Sequence, residues 1–347
     1  MLKLLMLVDH AVAISGPHRN VVATLNALSA RSDINLKLLT GKIDNSEPYS
    51  KQCDIILGFE PHKPSKILQN ANLLRQATKD RELIYVSSGL KAFLYAYFLK
   101  RQCKLLAGPN VTGIPLLMNT SNPSPLMTMH MADAWIEMSS IRIEECVSAG
   151  TPREYINYIP HAKNAEYFTP ELRDEKIWQE FGIRSDSIKI VHVGRMNEER
   201  KGIHELIQAF ILLQNECSEY KLDLILICKE GEFFTNEHRR VPNVHSIGPH
   251  YGKELVRLIA SADIFMGASR YETFWHTPLE AMSCGLPVVV STAGAVPTMI
   301  PEDGVQGRAV SIVDSGHQFL PDAAERLANA AVPLIVDKEL RVQMGQR

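Results

Sequence analysis

Short apolar runs alternate with longer helical patterns along this chain, and the alternation happens twice. In the first series Leu4–Val8, Leu36–Thr40, Asp54–Gly58 and Leu83–Ser87 read as strands, with helices expected over Asn20–Arg31, Ser65–Lys79 and Leu90–Arg101. Strands that are apolar at consecutive positions are covered on both faces, as in a parallel sheet. Strands separated by helices wind into an open, doubly wound α/β sheet. The pattern restarts with strands expected at Ile188–Val193, Leu222–Cys228, Val244–Ile247, Asp263–Met266 and Pro287–Ser291, and helices at Ile203–Glu216, Lys253–Ser261 and Pro278–Ser283. The stretch Pro160–Arg184 between the series is richer in charge and aromatics and is punctuated by Pro160 and Pro170. Two α/β domains follow, 1–163 and 164–347, a division that 347 residues with 45% apolar content can support.

The totals remove several classes of function. A formal charge of −2 offers no global basic field for nucleic acid. The six cysteines form no C-x-x-C pair and sit largely in apolar runs, which suits buried thiols in a reducing compartment. The opening run stops at Asp9-His10, too short for a signal peptide or a membrane span, so a cytoplasmic chain is expected. No G-x-G-x-x-G and no G-x-x-x-x-G-K-S/T occurs, which weakens a dinucleotide reading and excludes the P-loop enzymes. No D-x-D, H-x-x-x-H or H-x-x-E-H spacing suggests a metal site, and no G-x-S-x-G suggests a serine nucleophile. Lys91–Lys104 is aromatic and basic; it reads chiefly as a helix packed on its sheet, with peripheral contact at an inner membrane face as the rival reading.

In doubly wound sheets ligands bind beyond the carboxyl ends of the strands, so the loops there are the candidates. One runs from Gly194-Arg195 to Lys201-Gly202, placing two cations about a turn where they can neutralise a diphosphate or simply meet solvent. Another is Ser269–Thr277, with Glu272 before an aromatic turn and Glu280 after it. Thr277-Pro278-Leu279-Glu280 reads as a capping box with Thr277 as N-cap, and the helix start it marks is also an anion site. The first loop, Asp9–Asn20, holds Gly16, where backbone can approach a ligand closely.

Two stretches carry a family likeness. "GRMNEERKGIHELIQAF" and "SADIFMGASRYETFWHTPLEAMSCGLPVVVSTAGAVP" resemble the retaining GT-B glycosyltransferases of family 4, the glycosyl transferases group 1, with a dense match from about Ile188 to Val313. "ADAWIEMSS" and "YIPHAKNAEYFTP" fit the same layout in the thinner N-terminal half. The resemblance implies GT-B architecture: two Rossmann-like doubly wound domains facing a cleft, the first for an acceptor, the second for a nucleotide-sugar. It implies a metal-independent retaining transfer of a hexose-type sugar from a UDP- or GDP-linked donor to a hydroxyl of a glycan, lipid-linked or small-molecule acceptor. By position, Arg195 and Lys201 would grip the diphosphate, Glu280 the ribose, and Glu272 would face the sugar, making Glu272, Arg195 and Lys201 the catalytic set. Gly16, Gly194 and the Phe274, Trp275, His276, Thr277 turn would complete the donor site. His18, Arg19 and Asn110 are the acceptor-side candidates.

The departures from the pattern are specific. Trp275 stands where the family has Gly, and its indole must either reshape the sugar pocket or turn away from it. Pro17 replaces a second Gly, Gly108-Pro109-Asn110 replaces a histidine, and Cys228-Lys229-Glu230-Gly231 replaces a G-x-G turn. The chain ends at Arg347, where the resemblance leads one to expect a final helix crossing back to the first domain. These departures keep two other readings open: a nucleotide-sugar-binding protein without transfer, and a GT-B epimerase or phosphorylase.

Overall fold

The computed structural model describes residues 1–11, 16–110, 131–148, 150–163, 165–196, 199–272 and 274–346; the side chains of 16–19, 88, 109 and 110 are outside the description. The chain divides into two compact units, Met1–His161 and Ala162–Arg347. Each is built on one all-parallel sheet.

In the first unit the strands are β1 (Leu2–Leu7), β3 (Ile34–Thr40), β5 (Asp54–Leu57), β6 (Leu83–Ser88), β7 (Lys104–Asn110), β8 (Ala134–Glu137) and β9 (Ile156–Tyr158), and the short β2 (His10–Ala11) pairs with β4 (Lys42–Ile43). The sheet order is β5-β3-β1-β6-β7-β8-β9. In the second unit β10 (Ile188–Arg195), β11 (Leu222–Lys229), β12 (Val244–Ser246), β13 (Ile264–Gly267), β14 (Val288–Ser291) and β15 (Gly307–Val310) lie in the order β12-β11-β10-β13-β14-β15. Both sheets therefore start in the middle, build outwards on one side, then restart on the other. The reversal falls between β1 and β6 in the first unit and between β10 and β13 in the second. Such reversals leave a crevice beyond the strand ends where ligands bind.

The apolar runs explain the layering. β11 is buried along Leu222–Cys228 and only Lys229 is exposed. The helix Ile203–Glu216 buries Ile203, Leu206, Ile207, Phe210 and Leu213, one stripe at helical spacing, against the same sheet. Each large side chain fully buried in this way stabilises the fold by about 1.5–3 kcal/mol. The opposite face of the sheet is covered by Gly252–Ala260 and His276–Ser283, which contribute Val256, Ile259 and Ala281.

The sequence reading finds most of this and misses some. β7 contains Gly108 and Pro109 and is not among the strands expected from the sequence; the ladder absorbs Pro109 at a register shift opposite Val86 and Ser88. β8, β9 and β15 have three or four residues each, too few for periodicity to register. The helix Ala323–Val336 carries Pro333 inside it. Among the described residues no helix is long and apolar enough to cross a membrane. The helix Leu90–Leu99 buries Ala92, Phe93 and Ala96 on its sheet, while Phe98 remains 73% exposed beside an apolar cavity of about 450 Å³ lined by Ile67, Lys91, Leu94 and Tyr95.

Candidate functional site

The two loops singled out in the second half of the sequence emerge from adjacent strands, because Ile190 pairs with Ile264 and Val191 with Phe265. Gly202 brings them together. Its φ of +61° is left-handed, and a Cβ there would lie 2.1 Å from the carbonyl oxygen of Ala268, so only glycine lets the helix Ile203–Glu216 start against the end of β13. The residues just before it, Arg200 and Lys201, are thereby delivered to the loop after β13.

There they meet Glu272. Lys201 Nζ is ion-paired to Glu272 Oε1, Arg200 Nη1 lies 3.0 Å from Oε2, and Ser269 Oγ donates to Oε1 at 3.0 Å. Arg200 also donates to the Tyr271 carbonyl at 3.0 Å. The Glu272 side chain is only 9% exposed. Burial alone pushes its carboxyl pKa up, yet Lys201, Arg200 and the hydrogen bonds outweigh burial and hold it below the ordinary glutamate value. Glu272 is thus a buried, ionised carboxylate held by two cations. Arg195 ends β10 on the exposed side.

Gly194 precedes Arg195, and a Cβ on it would lie 2.7 Å from His192 Nε2. His192 is fully enclosed, its Nδ1 bonds the Met266 carbonyl at 3.0 Å, and burial pushes its pKa down to about 4. A neutral imidazole therefore lies beneath the turn.

The capping box is not formed. The helix starts at His276, its N-cap is Trp275 with φ +66° and ψ +78°, and Thr277 lies inside the first turn. Thr277 Oγ1 is buried with no hydrogen-bond partner among the described residues. A side chain already in the helix cannot cap it, because capping requires the residue to stand outside with extended geometry. Glu280 is likewise no cap: it is buried and paired with Lys163 at 2.6 Å.

Trp275 turns away from the loop surface. Its indole is 4% exposed and packs with Val193, Phe265 and Val290 in the second unit's core. It occupies the space over Gly267, where a Cβ would meet Cζ2 at 2.7 Å. The bulk gained at 275 is accommodated by the side chain lacking at 267. Phe274 is also buried and faces the His276 ring at 4.9 Å.

The sequence reading brought Lys201 and Glu272 to the same site but missed Arg200, Ser269 and Lys163. Adjacency to Lys201 was the only signal for Arg200; nothing local marks Lys163. In the first unit, Gly16 begins the helix Gly16–Ser29 and Asn110 ends β7, but the side chains of His18, Arg19 and Asn110 lie outside the described residues. Among the described residues no group of three or more His, Cys, Asp or Glu forms a metal site.

The two Rossmann-like parallel-sheet units have GT-B architecture, which solved structures share, and residues 187–337 match the family model described as glycosyl transferases group 1. The chain is 28% identical over 221 residues to sulfoquinovosyl transferase SQD2 of Arabidopsis thaliana, covering 62% of this chain and 40% of that one. It is 29% identical over 203 residues to the D-inositol 3-phosphate glycosyltransferase of Corynebacterium jeikeium, covering 55% and 46%. The matches span less than half the length of these relatives. Among solved structures, HepE of Anabaena in complex with UDP and glucose superposes with a TM-score of 0.76 at 18% identity, covering 99% of this chain and 93% of that one.

Proposed function

We propose that this protein is a retaining, metal-independent glycosyltransferase of the family 4 type. It takes a hexose-type sugar from a UDP- or GDP-linked donor and transfers it to an acceptor hydroxyl. The observation that carries the reading is the buried Glu272 carboxylate held by Arg200 and Lys201 at the switch point of a glycosyl transferases group 1 domain.

In this reading the second unit binds the donor and the first the acceptor, a glycan, a lipid-linked sugar or a small molecule. Cleavage of the anomeric C–O bond leaves its electron pair on the diphosphate. Arg195, Lys201 and the amides opening the helix His276–Ser283 stabilise that charge, the task a metal performs elsewhere. The acceptor oxygen bonds to the anomeric carbon on the departing face, and its proton passes to a phosphate oxygen. Glu272 faces the oxocarbenium-like sugar and orients its hydroxyls. The exposed Phe98 beside Lys91 supports a peripheral contact of the first unit with a membrane surface.

Calorimetric titration with UDP, GDP and their hexose conjugates tests the donor assignment. Binding is expected for one nucleoside diphosphate in the presence of a metal chelator, falling at least tenfold in Lys201→Ala or Arg195→Ala as about 1.5–3 kcal/mol of charge-assisted contact is lost. Binding unchanged in both variants refutes the diphosphate assignment. Product analysis by NMR tests retention: an inverted anomeric configuration overturns that part of the reading.

A further inference from the structure

Glu280 is already engaged by a residue outside the loops that form the donor site. Lys163 Nζ lies 2.6 Å from Glu280 Oε1, and the two side chains are 8% and 6% exposed. Lys163 comes from the opening stretch of the second unit, Glu280 from the helix His276–Ser283. The ammonium also lies 5.5 Å from the centroid of the buried Phe168 ring. Further along, Pro170 packs against the end of the same helix, where a Cβ at Gly285 would meet its Cβ at 3.3 Å. The segment that follows Lys163 thus runs to the end of the helix that carries Glu280.

This arrangement restricts what Glu280 can do. Burying a carboxylate this far is costly without a partner, and the ammonium between it and an aromatic face is that partner. Oε1 is held toward Lys163, which fixes the orientation of the carboxylate plane. A carboxylate has about four acceptor positions, so positions remain for two hydroxyl donors.

We propose that Lys163 is a positioning residue for Glu280: the buried Lys163–Glu280 pair presents an oriented, acceptor-only carboxylate to the vicinal diol of the donor ribose and so selects ribonucleotide over deoxyribonucleotide donors. The proposal rests on the reading of Glu280 as the ribose contact. An acceptor held in this way requires both hydroxyls, and a site built to bond a hydroxyl rejects the analogue that lacks it. Without the ammonium Oε1 is no longer held, the carboxylate plane turns away from the diol, and the requirement is lost.

The test uses the full chain and calorimetric titration with UDP and GDP against their 2′-deoxy counterparts. The wild type is expected to prefer the ribonucleotide by about tenfold or more, the loss of one hydrogen bond to a charged group. Lys163→Met is expected to reduce that ratio by about tenfold while affinity for the deoxynucleotide changes little. Lys163→Arg, which keeps the charge, is expected to retain the preference. Lys163→Gln keeps an N–H toward Oε1 without the charge and carries the same test if Lys163→Met does not fold. A merely structural lysine lowers both affinities in parallel and leaves the ratio unchanged, and that result overturns the proposal. A wild type that binds neither nucleotide refutes the donor-site reading itself. A wild type that binds both forms equally removes the diol contact, and the proposal falls with it.

Discussion

Replacing Lys201 by methionine separates the electrostatic account of this site from one based on packing. Methionine keeps most of the lysine volume and removes only the charge. Glu272 is then left nearly buried with Arg200 and Ser269 as its remaining partners. Breaking a buried pair outright costs about 3–5 kcal/mol; with one cation still in place, about 2–3 kcal/mol is expected. For a unit the size of Ala162–Arg347 that corresponds to a fall in Tm of roughly 4–12 °C at neutral pH. The pH dependence carries a definite sign. In the wild type the Glu272 pKa is lowered by folding, so its stabilisation is present above the unfolded value of 4.5 and is lost as pH falls through the depressed folded value. In the variant, burial is less opposed and the carboxyl rises, so the deficit relative to wild type is full at neutral pH and shrinks on acidification toward the unfolded pKa. Thermal unfolding of both proteins across that range is the assay, with Lys201→Met/Glu272→Gln expected to recover part of the loss at neutral pH. A deficit below about 0.5 kcal/mol, or one that does not shrink on acidification, refutes the ion-pair account.

Two further perturbations probe the fold around the site and in the first unit. Gly267→Ala forces a Cβ to within 2.7 Å of the Trp275 indole and is expected to cost about 1–3 kcal/mol by denaturant unfolding, whereas the same change in a Trp275→Gly background is expected to cost little; additive losses would show that the two positions are not coupled. Glu137 is buried, and burial, opposed by Arg142 and reinforced by Glu145, raises its pKa to about 7. Its folded value lies above its unfolded one, so its own contribution to stability is full below about pH 4.5 and is lost as pH rises through 7, a change on the order of 3 kcal/mol. Glu137→Gln is expected to remove that slope in pH-dependent unfolding, and an unchanged slope assigns it to another group.

The legible parts of the molecule were those with local signals. The helix Ile203–Glu216 is predicted to the residue because its apolar stripe, Gly202 before it and its length all agree. The switch-point loops were found because continuous apolar strands imply a parallel sheet, and a parallel sheet implies ligand loops at one end. The capping box misread a local pattern: Thr-Pro-x-Glu has the right letters, but the backbone turns at Trp275, two residues earlier, and draws Thr277 into the helix.

What the sequence by itself determined is therefore the class of fold and which loops carry the candidate residues Lys201 and Glu272, since apolar periodicity and the order of loops are properties of neighbouring residues. Which way Trp275 points, which cations hold Glu272 and what engages Glu280 were decided only in the tertiary structure. The indole turns inward because Gly267, on a preceding strand, leaves room for it. Glu272 is ionised because Gly202 allows Arg200 and Lys201 to approach within bonding distance, and Glu280 is engaged because Lys163 lies against its helix. Burial and charge pairing are set by residues distant in the chain, and local periodicity holds no record of such contacts.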